Sequence, residues 1–276
     1  MNILDGLILG IIQGITEFLP ISSTAHLTIA GKLMGLVDPG SSAEWTATIA
    51  IMQLGTAVSV LVFFRAEVRS MAAALLYDLS HPTRARREGF RPDSRLAFLI
   101  AAGTLPIVVL GFLLKNIIEG DLTKDTTVIA WSLIILAVIL LVAELTGRGK
   151  RGLPEKTPTD AILIGFAQAL ALIPGASRSG TTITAGLFLG FTREAAARFS
   201  FLLSIPAVIA GGLYEMFSVR HLLDTVPILP LAISVAVSGI TGYLAIAFLL
   251  HFLKKRSTAV FIVYRVLLGV ALLVWF

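Results

Sequence analysis

The sequence predicts an all-α polytopic membrane protein built as an inverted-topology repeat, with six transmembrane helices plus two re-entrant helix–loop–helix hairpins. Three observations carry that expectation. Of 276 residues, 56% are hydrophobic and 14% charged, and the mean hydropathy is +0.90, too apolar for a soluble domain. A polar segment with apolar flanks occurs twice: residues 8–26 are echoed by 163–180, with Gly10 on Gly165, Gln13 on Gln168 and, after one gap, Pro20 on Pro174 and Ser23 on Ser177. Finally, Arg and Lys gather in alternate loops.

Taken in chain order, the apolar region 3–35 is broken at its centre by Pro, Ser and charge, so it reads as a hairpin dipping into the membrane. Non-helical backbone is tolerated at that depth only where protein buries it or water lines it. Spans of about the 20 residues needed to cross a bilayer follow at roughly 46–64, 95–114 and 127–145. A second broken region, 160–191, begins the next half, with spans at roughly 199–217, 226–252 and 259–276. The whole is one membrane domain, 1–276, divided into repeat one, 1–146, a cytoplasmic linker, 147–158, and repeat two, 159–276. Three crossings per half invert the second copy, the plan in which broken helices meet near the midplane.

Loop charge sets the orientation. Arg65, Arg69, Arg84, Arg86, Arg87, Arg91 and Arg95 follow the first span; Arg148, Lys150, Arg151 and Lys156 follow the third; Lys254, Lys255 and Arg256 follow the fifth. These ends are expected in the cytoplasm. The loops 35–45, 115–126 and 218–226 carry few basic residues, mixed with Glu44, Glu119, Asp121, Asp125 and Asp224. Both termini then lie outside the membrane, and the two hairpins enter from opposite sides so that their tips meet. The net charge of +5 is orientation signal rather than a nucleic-acid surface, and the stretch 81–95 reads as a solvated loop near anionic headgroups. With no cysteine, disulfides and thiolate chemistry are excluded. No cleaved signal peptide is apparent at the N-terminus.

Chemistry concentrates in the broken segments, since ionisable groups inside a membrane are functional candidates. Gln13 and Glu17, four apart, share a helix face and suit a hard divalent cation, Mg²⁺ or Ca²⁺. Pro20 is followed by Ser22, Ser23, Thr24 and His26, which suit a nucleophile with its base or separate phosphate ligands. Hydroxyls also cap helices routinely. In the second segment Ser177, Arg178, Ser179, Gly180 and Thr181 open a helix, where free N–H groups and the Arg fork favour an anion. Gln53, Glu215 and Arg265, at or within spans, could support the site from behind its direct ligands but read chiefly as packing or snorkelling groups. Glu144 and His251, near span ends, read as interfacial.

At these residues the chain resembles the undecaprenyl-diphosphate phosphatase family of bacteria, the membrane enzymes linked to bacitracin resistance. The likeness rests on Gln13 to Glu17, Phe18 through His26, and Pro174 through Gly180, and covers nearly the whole chain. Position 13 is Gln where many members have Glu, which leaves one fewer negative charge beside a cation. The resemblance implies release of the terminal phosphate of undecaprenyl diphosphate with a divalent cation, no nucleic-acid partner, and an oligomer as one possible state. Arg178 with Ser22, Thr24, Ser177, Ser179, Gly180 and Thr181 would bind the diphosphate, and Glu17 with Gln13 would hold the cation. Ser23 would attack with His26 as base; attack by His26 itself or by metal-bound water stays open. The rival reading is a transporter or flippase of a prenyl-phosphate lipid, which shares the inverted plan but has no use for Glu17, Ser23 and His26 together.

Overall fold

The computed structural model describes residues 1–37, 42–114, 125–218 and 227–275. Among them are twelve α-helices and no strand: α1 (Ile3–Phe18), α2 (Ser23–Leu33), α3 (Ser42–Phe63), α4 (Arg65–Ser80), α5 (Pro82–Glu88), α6 (Pro92–Leu113), α7 (Thr126–Thr146), α8 (Pro158–Ala169), α9 (Arg178–Phe188), α10 (Arg193–Ser218), α11 (Ile228–Leu253) and α12 (Ala259–Trp275). The expected acidic loop residues Glu119, Asp121 and Asp224, and the side chains of Glu44 and Glu215, lie outside what is described.

Five helices, α3, α6, α7, α10 and α11, are long and apolar enough to cross a membrane, as expected of a polytopic membrane protein. The expected span at 259–276 is α12, an apolar helix of 17 residues, at the lower limit of a crossing. Its start is set by Thr258, whose carbonyl accepts from the Phe261 and Ile262 N–H groups. The stretch 81–95, expected to be a solvated loop, holds α5 and the first turn of α6 instead, with α4 just before it. Buried Asp78 organises it by accepting from Arg84 and from the Arg91 backbone N–H. Burial alone would raise the Asp78 carboxyl, but hydrogen bonds from Ser94 and Arg91 and the charges of Arg84 and Arg91 hold it below the usual range.

The two broken segments share one local design at a constant sequence offset. Asn2 caps α1 and Thr157 caps α8, each in a capping box whose third residue is Asp5 or Asp160. Ser22 caps α2 and Ser177 caps α9; these are the non-glycine residues with positive φ among those described, 75° and 65°. Gly35 and Gly190, φ 65° and 81°, end α2 and α9 in the left-handed conformation that glycine adopts without strain. Ser22, not Ser23, is therefore the counterpart of Ser177, and no gap is needed in the turns.

Packing follows a reciprocal pattern. Helix α1 runs along α11 with Gly6 against Pro230, Gly10 against Ser234 and Gly14 against Thr241; α8 lies on α6 with Gly165 against the Gly103 carbonyl. Helices α3 and α10 cross antiparallel, from Gly212 on Leu54 to Phe201 on Phe64 just past the end of α3, and α7 pairs with α12 in the same sense, from Gly269 on Ala130 to Thr258 on Glu144. Glu144, expected at the interface, has a nearly buried carboxylate that binds Arg193 and Thr258. The main core, including Phe18, Phe64, Phe199 and Phe201, sits where these helices converge.

Candidate active site

The site forms where the α1–α2 and α8–α9 turns touch. Glu17 is buried in the last turn of α1. One carboxylate oxygen, Oε1, accepts from Arg178 Nη2 at 3.0 Å, and the other, Oε2, accepts from Ser23 Oγ at 2.7 Å and from Gln13 Nε2 at 3.1 Å. The pair joins residues 161 positions apart. A second strut is Ser179 Oγ, which donates to the Leu19 carbonyl at 3.0 Å. An ion pair this buried is kept only if further hydrogen bonds satisfy both groups. Glu17 meets that condition. Arg178 does not: its Nη1 is buried without a partner, and so is Gln13 Oε1.

The hydroxyls divide into two kinds. Ser22 Oγ accepts from the Ala25 N–H at 3.3 Å and Ser177 Oγ from the Gly180 N–H at 3.2 Å, so both are helix caps. Ser177 Oγ lies 3.3 Å from Ser179 Oγ. Thr181 Oγ1 turns back to the Arg178 carbonyl at 3.1 Å. Thr24, half-buried, is not drawn into the Glu17 network. Ser23 is, being half-buried and aligned by a carboxylate.

His26 is held apart from Ser23. Its Nδ1 donates to the Ser22 carbonyl at 2.7 Å, and its Nε2 meets the Tyr264 hydroxyl at 2.6 Å, with the rings stacked 5.5 Å apart. A carbonyl only accepts, so Nδ1 carries the proton and Nε2 accepts from Tyr264. The base nearest to Ser23 is therefore Glu17.

Two residues of α12 reach the site from the far end of the chain; sequence reasoning gave Tyr264 no role and Arg265 a supporting role only as the lesser reading. Tyr264 binds His26, and Arg265, fully buried rather than snorkelling, bonds the carbonyls of Leu133, Gly175 and Ala176. The available signal was the Arg itself, inside an apolar run. A separate cavity of about 430 Å³ opens at the opposite, basic end beside Glu144, Arg148, Arg193 and Lys254. Arg193 and Lys254 are already paired there with Glu144 and Glu194.

Comparison with known proteins finds relatives along nearly the whole chain. Residues 6–271 match the family described as bacitracin resistance protein BacA. The chain is 50% identical over 276 residues to an undecaprenyl-diphosphatase of Syntrophobacter fumaroxidans, covering 99% of this chain and 97% of that one. It is 50% identical over 278 residues to that of Myxococcus xanthus, covering 99% and 89%, and 48% identical over 282 residues to that of Chloroherpeton thalassium, covering 99% and 96%.

Proposed function

The chain belongs to the bacitracin resistance protein BacA family, and from that premise we infer that it is an undecaprenyl-diphosphatase, hydrolysing undecaprenyl diphosphate to undecaprenyl phosphate and inorganic phosphate. One observation carries the assignment of the site: a buried Ser23–Glu17–Arg178 chain bridges the two turns and leaves a guanidinium Nη1 unpartnered. An incoming phosphate oxygen can take Arg178 Nη1 without breaking the Glu17 pair. The N–H groups opening α9 and the hydroxyls of Ser177, Ser179 and Thr181 hold the rest of the diphosphate, while Ser22 and Thr24 border it from the opposing turn.

The hydrogen bond from Ser23 to Glu17 supports Ser23 as the nucleophile and Glu17, in place of His26, as the acceptor of its proton. Ser23 Oγ bonds to the terminal phosphorus as the bridging P–O bond breaks and the prenyl monophosphate leaves. Water then releases phosphate from Ser23. His26, its tautomer set by Ser22 and Tyr264, lines the site as a polar partner for phosphate.

A divalent cation, Mg²⁺ or Ca²⁺, fits the donors present. Glu17 and the unpartnered Gln13 Oε1 are oxygen ligands, and among the described residues no cluster of three His, Asp or Glu forms a cage. Mg²⁺ is commonly held by one or two carboxylates together with substrate phosphates. When bound, it would neutralise phosphate charge.

We further propose the inverted repeat, 1–146 and 159–276 about the linker 147–158, with α12 as the sixth crossing and the two turns as re-entrant tips. Supporting this are the shared cap and glycine positions, the reciprocal packing, and the gathering of basic segments at one end through Arg198 on Glu67 and Lys254 on Glu194. That end faces the cytoplasm, the termini lie outside, and the membrane is the bacterial inner membrane. The prenyl tail stays in lipid while its headgroup enters between the turns. Phosphate release by purified protein from a prenyl diphosphate tests the function; movement of the lipid across vesicles with no phosphate released would identify a carrier instead.

A further inference from the structure

Arg265 is a full charge in a fully buried position, and among the described residues no carboxylate pairs with it. Its Nε donates to the Leu133 carbonyl at 3.3 Å, and its Nη2 to the carbonyls of Ala176 at 3.1 Å and Gly175 at 3.5 Å. The remaining nitrogen, Nη1, has no partner. A methyl placed on Gly180 would lie 2.6 Å from Nη1 and 3.2 Å from Ser177 Oγ, so Nη1 and that hydroxyl flank the same point in the first turn of α9. An ionised group so buried costs several kcal/mol unless an opposite charge or a full set of hydrogen bonds offsets it. Carbonyl oxygens supply part of that set. The anion is missing.

We propose that Arg265 is a second cation of the diphosphate site, supporting the first turn of α9 from behind while Arg178 grips the substrate from the front. Its carbonyl bonds also orient the turn. In a trans peptide the C=O and N–H point in opposite directions, so drawing the Ala176 carbonyl toward Arg265 turns the Ser177 N–H to the other face of the turn. Arg265 thus acts on substrate through its field and through the turn backbone, as a positioning residue. The inference rests on the phosphatase reading above.

The test uses the full-length protein in detergent, wild type beside Arg265→Met and Arg265→Lys. KM and kcat with a prenyl diphosphate, inhibition by inorganic pyrophosphate, and the thermal midpoint are measured for each. Removing a buried positive field beside the diphosphate is expected to weaken its binding about tenfold, a change of about 1.4 kcal/mol. Arg265→Met is expected to raise KM and weaken pyrophosphate inhibition by that factor. Arg265→Lys keeps the charge and loses the carbonyl fork, so its thermal midpoint is expected to fall while pyrophosphate inhibition stays within about threefold of wild type. Folded Arg265→Met with unchanged KM and inhibition overturns the proposal, as does folded Arg265→Lys that loses inhibition as fully as Arg265→Met. If Arg265→Met does not fold, Arg265→Lys decides alone: retained inhibition supports the proposal and a loss of tenfold or more overturns it. Wild type that neither releases phosphate nor is inhibited by pyrophosphate would instead sink the phosphatase reading.

Discussion

Ser23 and His26 stand three positions apart, yet their side chains face different partners: Ser23 donates to Glu17, and His26 binds Ser22 and Tyr264. Ser23→Ala should therefore lose turnover while still binding a prenyl diphosphate, and His26→Ala should retain more turnover than Ser23→Ala. Turnover and binding measured together on both variants check this; an active Ser23→Ala protein beside a dead but binding His26→Ala protein would move the nucleophile to His26. Arg178 engages Glu17 through one nitrogen and keeps the other for substrate, a fork that Lys lacks. Arg178→Lys should lose about 10²–10³ in rate, the scale of one lost transition-state donor, and turnover above about a third of wild type would make the fork irrelevant. These residue types and their crowding beside Pro20 and Pro174 were legible in the sequence. The partner of His26 was not, because Tyr264 lies 238 positions away in a helix that reads as apolar apart from Arg265.

Helices are placed by backbone contact as much as by side chains. A methyl on Gly165 would lie 2.3 Å from the Gly103 carbonyl, whereas one on Gly211 meets nothing within 4 Å. Gly165→Ala should cost about 1–3 kcal/mol through overpacking and lower activity by displacing the turn that carries Arg178; Gly211→Ala should be neutral or slightly stabilising. Thermal midpoints and turnover of the two variants check this. Where the linker meets α8, Lys156 is buried near the rings of Phe191 and Phe199, and burial pushes its ammonium down to about 7. Above that pH the unfolded chain still binds this proton while the folded one has released it, so stability should rise with pH from about 7 toward the ordinary Lys value. The thermal midpoint followed against pH should show that rise, and Lys156→Met should flatten it. Helix existence was readable from apolar length, and five spans lie close to where the sequence puts them. Helices α4 and α5 escaped because an arginine-rich stretch resembles a solvated loop until the buried Asp78 carboxylate organises it. The extra gap between the turns came from matching Pro20 with Pro174, whereas the cap geometry matches Ser22 with Ser177.

At the scale of the molecule, two segments distant in sequence form one site because each turn is held against the other half: α1 on α11, α8 on α6. The proposed inverted arrangement places Arg86 and Pro227 on opposite faces of the membrane. Single cysteines introduced at these positions of the cysteine-free chain should label differently with an impermeant reagent, Pro227→Cys in intact spheroplasts and Arg86→Cys only after permeabilisation; labelling of both from one side would contradict the arrangement. Duplication and charge asymmetry suggested this plan and a meeting of the tips, while individual bonds between them, such as Ser179 to the Leu19 carbonyl, could not be read, since no local pattern records a pairing across half the chain. The central claim, that both turns act as one catalytic unit, is tested most directly by phosphate release from a prenyl diphosphate in Glu17→Gln, Arg178→Lys and the double variant. Residues that act as a unit lose their contribution only once. The double variant is therefore expected within about threefold of the worse single variant, whereas losses that multiply would show Glu17 and Arg178 working independently and contradict a shared site.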